Sequence, residues 1–168
     1  MSNLLTSTRA KLAIAQGSFS TLENSQIDTL CTAVSVATRR YLGRDPELFN
    51  HDEIVDASGG QALILRNFPV TVVTRVSLRN GSVDVGGYHV DNSRGVLWRT
   101  NGLWAGGRKH YRVLYTAGYN PLPEDLIEAC AQWVAALFWQ AKDNPAQAYQ
   151  GPPPGVKSLM DRFKFPSV

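Results

Sequence analysis

The sequence predicts an α+β fold. A small helical bundle, with helices near 6–15, 24–42 and 123–142, carries an inserted antiparallel β-rich subdomain and ends in a C-terminal tail. Three observations predict it. Apolar residues recur at spacings of three and four near both ends of the chain, which is the period of a helix with one buried face. Between them, Asp45 to Thr116 breaks into short apolar runs separated by turn residues, as strands do. After the last helical pattern comes Gln150-Gly151-Pro152-Pro153-Pro154-Gly155, a stiff, extended spacer. The expected division is therefore residues 1–44 and 117–145 as helical core, 45–116 as β-rich insertion, and 146–168 as Pro-rich spacer and tail.

Each element has its own signals. Thr6 to Ala15 reads as a short helix broken by Gly17-Ser18. Asn24 or Ser25 is the expected cap of the second helix, with Asp28 in its first turn facing the positive end of the helix dipole. Ile27, Leu30, Cys31, Val34, Thr38 and Tyr41 form its apolar stripe, and Gly43 ends it in the left-handed conformation glycine adopts cheaply. Arg39, Arg40 and Arg44 then sit where cations meet the negative end of the dipole.

In the insertion, Ala62–Leu65 is a strand, and Pro69 is excluded from the ladder after it. Val72 to Arg79 alternates with period two before an Asn80-Gly81 turn. Tyr88–Val90, Val96–Trp98 and Tyr111–Tyr115 complete the set, with Asp91-Asn92-Ser93-Arg94-Gly95 as a turn; the stretches 45–61 and 101–109 are left as loops. Pro121 and Pro123 open the last long helix, whose first turn holds Glu124 and Asp125. Its broad stripe of Leu126, Ile127, Cys130, Trp133, Val134, Leu137 and Phe138 predicts burial against more than one neighbour, and Asp143-Asn144-Pro145 stops it.

Composition narrows the function. With 43% hydrophobic and 18% charged residues over 168 positions, the chain is globular and long enough for a core without staples. Seventeen bases against 14 acids give +3, scattered rather than gathered on one motif, which disfavours a dedicated DNA-binding protein. No apolar run reaches the ~18–20 residues a membrane span needs, and Met1–Thr6 lacks the pattern of a secretory signal, so a protein made in the cytosol is expected. Cys31 and Cys130, both among apolar neighbours and outside any C-x-x-C, are expected to be buried free thiols; a disulfide between their helices is the other reading.

The residues that could carry chemistry do not converge in sequence. His51, His89 and His110 are far apart and lack a metal-ligand spacing. Asp52, Glu53 and Asp56 read as a solvated loop and strand edge. Gly102-Leu103-Trp104-Ala105-Gly106-Gly107 has phosphate-loop glycine spacing, but Arg108-Lys109 and a strand follow it where such a loop needs Lys, then Ser or Thr, and a helix. Ser58-Gly59-Gly60 is not a nucleophile elbow. The expectation is a non-enzyme with no catalytic residue, no metal and no cofactor.

Several segments, in this order, resemble the head–tail connector (adaptor, or head completion) proteins of tailed bacteriophages. They are Arg40-Tyr41-Leu42-Gly43-Arg44, Leu63-Ile64-Leu65-Arg66-Asn67-Phe68-Pro69-Val70, Tyr88-His89-Val90-Asp91 and Gly95-Val96-Leu97. The sharpest is Val113-Leu114-Tyr115-Thr116-Ala117-Gly118-Tyr119, followed by Pro123-Glu124-Asp125-Leu126 and Ala129. The ending Phe163-Lys164-Phe165-Pro166 is similar to the short aromatic-basic tails of that family, although the Pro-rich spacer is less typical of it.

The resemblance implies a structural protein of the virion neck, assembled in the host cytoplasm as a closed ring of about twelve copies. Its implied partners are its own copies, the portal protein, a downstream neck or tail-completion protein, and DNA that passes without sequence-specific binding; no membrane is involved. For such a ring, Trp98, Leu103 and Trp104 are candidate partner contacts, because tryptophans are enriched at interface hot spots. Lys157, Leu159, Met160, Arg162, Phe163 and Phe165 form a short amphipathic tail expected to order on a partner. The alternative is a β-rich nucleic-acid- or carbohydrate-binding module that stacks ligands on Trp98, Trp104, Tyr111 and Tyr119.

Overall fold

The computed structural model describes residues 3–79, 85–144 and 151–164. The chain divides into two compact units, Met1–Arg44 with Leu122–Val168, and Asp45–Pro121.

The first unit is helical: α1 (Ser7–Ile14), α2 (Thr21–Leu42), α3 (Glu124–Asp143) and α4 (Pro154–Asp161). Thr6 caps α1 by accepting from the Arg9 N–H. The start of α2 lies earlier than Asn24 or Ser25. Ser20-Thr21-Leu22-Glu23 is a capping box, in which Ser20 accepts from the Glu23 N–H and the Glu23 carboxylate accepts from the Ser20 N–H. Gly43, at φ 72°, closes α2 as the sequence predicts, its N–H bonding the Arg39 carbonyl.

The core of this unit is Ile27, Cys31, Val34 and Leu42 of α2 against Leu126, Ala129, Cys130, Trp133, Val134 and Phe138 of α3. Leu4, Leu5, Ala10 and Ile14 join it from the N-terminal end, and Val156 and Met160 from α4. Both cysteines are free and buried, as expected. Burial is the main cause that pushes each thiol up to about 11.

The second unit holds two three-stranded antiparallel sheets. One has the order β1 (Phe49–Ala57), β6 (Gly107–Ala117), β3 (Val70–Leu78); the other β2 (Ala62–Ile64), β5 (Val96–Arg99), β4 (Tyr88–Asp91). Both bury residues in one core: Val55, Val76, Tyr111, Val113 and Tyr115 from the first sheet, Leu63 and Leu97 from the second, with Leu65 and Trp104 from the loops. The fold class is the predicted α+β. The Asn80-Gly81 turn lies outside the described residues.

β1 is a strand where the sequence suggested a loop. Its residues Asn50, His51, Asp52 and Glu53 are polar, so the apolar-run signal of a strand is missing, but alternation still sorts them. Asp52, opposite Leu114, turns outward and pairs with Arg112, whereas Glu53, opposite the buried Val113, turns inward. The acidic cluster is thus split between two faces. At the far end of β6, Gly118 at φ 116° lies so close to the chain that a Cβ would stand 2.1 Å from the Glu47 carbonyl oxygen. Only glycine fits this exit, where Gly118 N–H bonds Pro69 and Tyr119 N–H bonds Pro46.

Candidate interaction surfaces

Trp98, Leu103 and Trp104 belong to neighbouring segments of the β unit, yet they have different fates. Trp104 is completely buried. Its indole N–H donates to the Leu97 carbonyl at 3.1 Å, Tyr111 packs edge-on at 5.1 Å, and the Arg99 guanidinium lies 4.9 Å from its ring centre. The nearby Ala105 N–H donates to the Tyr111 hydroxyl. Trp104 is therefore the peg that pins the loop between β5 and β6 into the core, and its expected place on a partner surface is corrected. Pegging one residue sets the preceding one outside: Leu103 is 61% exposed. Trp98, on β5 opposite Ala62 and His89, is 37% exposed.

The C-terminal segment departs further from expectation. Pro154 starts a helix, and α4 lays Val156 and Met160 into the core of the helical unit, Met160 with no exposed surface. Leu159 and Phe163 are half-buried against the same core. Tyr41 donates to Asp161, Lys164 lies over the Tyr41 ring at 4.9 Å, and Arg162 pairs with Asp125 at 3.4 Å. Arg44, which the sequence places at the negative end of the α2 dipole, is 5% exposed and donates to the Phe163 carbonyl at 3.0 Å. Lys157 and Arg162 point to solvent, and Phe165 lies outside the described residues. The segment up to Lys164 is thus tied to its own unit. Met160 is a core residue, which corrects its assignment to a partner surface. The signal that could have revealed this was the spacing of Val156, Leu159, Met160 and Phe163, which repeats at three and four.

Leu30, Ala33, Val34, Ala37 and Leu137 line an open apolar groove of about 250 Å³ between α2 and α3. Sequence reasoning placed Leu30 and Leu137 in the core. They are half-buried, and with the small Ala33 and Ala37 they leave the groove uncovered.

The most connected polar group is in the β unit. Tyr115 donates to Glu53 and accepts from the backbone and side-chain N–H groups of Asn67, whose amide also lies 3.3 Å from His51 Nδ1. Glu53 also accepts from the Arg66 N–H. Burial, then the Glu53 carboxylate, pushes the Tyr115 phenol upward, so it stays protonated and acts as a fixed donor. The network joins β1 and β6 to the 65–69 corner and gives Tyr115, part of the sharpest sequence motif, an architectural use. Among the described residues no group of three or more His, Cys, Asp or Glu could hold a metal, and no helix is long and apolar enough to cross a membrane.

A protein family described as "Head completion protein" matches residues 12–152. Among solved structures, the chain is similar to one in the "Virion of native gene transfer agent (GTA) particle", at 20% identity and a TM-score of 0.64, covering 98% of this chain and 91% of that one. It is also similar to one in the "Neck of empty GTA particle computed with C6 symmetry", at 18% identity and a TM-score of 0.64, with the same coverages. At such identities the likeness is one of fold. No curated protein matches by sequence.

Proposed function

The chain belongs to the head completion protein family, and from that premise we propose that it is a non-enzymatic subunit of the neck of a tailed-phage-like particle. Copies form a closed ring below the portal, extend the DNA channel and present a platform to the next neck or tail component. The family match carries this reading, because it spans residues 12–152 and so includes the α2–α3 pair and the whole inserted β unit.

The structure favours joining over chemistry. Leu103 and Trp98 offer apolar surface on the β unit, and the α2–α3 groove offers a second, different apolar patch on the helical unit. A cyclic ring needs two unlike patches, one for each neighbour. The alternative of a β-rich module that stacks ligands on aromatic rings loses support, since Trp104 and Tyr111 are both buried.

The test is a deletion of the gene, with particles viewed by electron microscopy. The expected result is DNA-containing heads that lack tails, restored by the supplied protein, with a ring at the vertex where it binds. Complete particles without the protein would refute the proposal.

A further inference from the structure

The chain is irregular where β6 begins. The β1–β6 ladder shifts register between Val55, opposite Tyr111, and Ala57, opposite Gly107, so Arg108, Lys109 and His110 together face Asp56 alone. Bulges of this kind bend a strand and re-aim its side chains. Within the bulge Lys109 holds φ 50°, a left-handed conformation that is unfavourable for a side-chain-bearing residue and that Gly or Asn tolerates better. The Asp56 carboxylate fixes it by accepting the Lys109 backbone N–H at 2.5 Å. Just past the end of the neighbouring strand β3, the Arg79 N–H bonds the His110 carbonyl at 2.8 Å and holds Arg79 to the same corner. The result is an open concavity of about 470 Å³ lined by Leu78, Arg79, Arg108, Lys109 and His110.

Gathering three permanent cations in one corner is electrostatically unfavourable unless an anion joins them. Among the described residues, no carboxylate forms an ion pair with Arg79, Arg108 or Lys109; Asp56, held by the Lys109 backbone N–H, sets one negative charge against the three positive ones, so the corner keeps a net positive charge. Guanidinium groups match phosphate oxygens in a two-point fork, and an ammonium adds a point charge. The concavity is open, so it does not enclose a single phosphate. A polyanion lying across it meets all three cations without enclosure.

We infer that this corner is a contact for the phosphate backbone of duplex DNA, independent of sequence. The choice of DNA rests on the neck reading above, which puts the subunit beside passing DNA; the phosphate-binding chemistry rests on the corner itself.

The test is fluorescence anisotropy of a short duplex DNA titrated with the full chain across a range of salt. Arg79→Gln/Arg108→Gln is expected to weaken binding and to reduce the magnitude of the log–log salt slope by about 1.8, the value for two lost phosphate contacts. Arg40→Gln/Lys157→Gln removes the same charge from exposed positions of the helical unit and is expected to leave the slope unchanged. Lys109→Asn, which keeps a residue suited to the left-handed backbone, separates loss of charge from misfolding. Equal weakening by both double variants, or no binding by the wild type at low salt, overturns the inference. So does equal competition by an acidic polypeptide of matched charge, which would assign the corner to a protein. Incorporation of Arg79→Gln/Arg108→Gln into particle necks is scored separately. A wild-type chain absent from necks sinks the neck reading, whereas a variant that incorporates yet binds DNA like wild type sinks only the phosphate corner.

Discussion

Single residues here decide between surface and core more sharply than residue type does. Trp104 and Trp98 are six positions apart, yet only Trp104 has a hydrogen-bond acceptor waiting for its indole N–H, the Leu97 carbonyl. Trp104→Ala opens a cavity and is expected to cost about 3–5 kcal/mol in urea unfolding; Trp98→Ala, at a half-open site, is expected to change stability far less. The thiols give a second check. With Cys31 and Cys130 buried and held near 11, a thiol reagent at pH 8 should label neither in the native protein and both once it is unfolded; rapid native labelling would contradict the described core. Glu23 gives a third. The Ser20 backbone N–H, then Lys142, lowers its carboxyl from 4.5 to about 2. Its folded value lies below its unfolded one, so its contribution to stability is full above pH 4.5 and is lost as pH falls toward 2. Glu23→Gln should flatten the fall in Tm across that window, and a variant with an undiminished acid limb would exclude Glu23 as a source.

At the scale of elements, what was legible in the sequence followed from periodicity. The stripes of α2 and α3 placed those helices to within a few residues, because burial of one face imposes the pattern; β3 is a strand as expected, but its ladder shifts register at Val70/Val72 and Val73/Arg75, so the face expected to be buried leaves Val72 and Thr74 exposed. β1 was not legible, since its inward Glu53 is satisfied by Tyr115 and Arg66, contacts that no local pattern announces. The capping box of α2 is written in the letters Ser20 and Glu23, but the polar Asn24-Ser25 that follows carries the same cap signal. The candidate surface was half legible. Leu103 emerges as exposed because Trp104 is not, and that distinction needs the Leu97 carbonyl in place. α4 is not announced by the sequence, because three prolines suggest only a spacer, although proline in the first turn suits a helix start. Its energetic role is testable. Met160→Ala should cost about 2–5 kcal/mol in the free subunit, as a core residue does. A docking arm free of its own unit would instead leave stability unchanged and lose only assembly, so an unaltered unfolding curve would restore the arm.

At the scale of the whole molecule, a subunit whose task is to be joined must keep its joining surfaces separate from the groups that hold it folded. On the reading proposed above, one loop of the β unit serves both ends: Trp104 faces inward and anchors, and Leu103 faces outward on a backbone that the anchor has already fixed. A preformed apolar residue loses little further freedom on binding, which is the physical advantage of presenting it from a pegged loop. Leu103→Asp separates the two roles. In the free subunit the carboxylate stays in water, so the change in stability should remain within about 0.5 kcal/mol, as for exposed substitutions elsewhere. If Leu103 joins neighbouring copies in the proposed ring, the same carboxylate must be buried there without a partner, a cost of a few kcal/mol repeated at every subunit boundary. The expected outcome is a normally folded protein, by circular dichroism and thermal melting, that fails to restore tails to particles lacking the native chain. Trp104→Ala should fail as well, but with a lowered melting point. If Leu103→Asp restores tails as well as wild type does, the loop between β5 and β6 is not a joining surface, and the groove between α2 and α3 becomes the place to look for one.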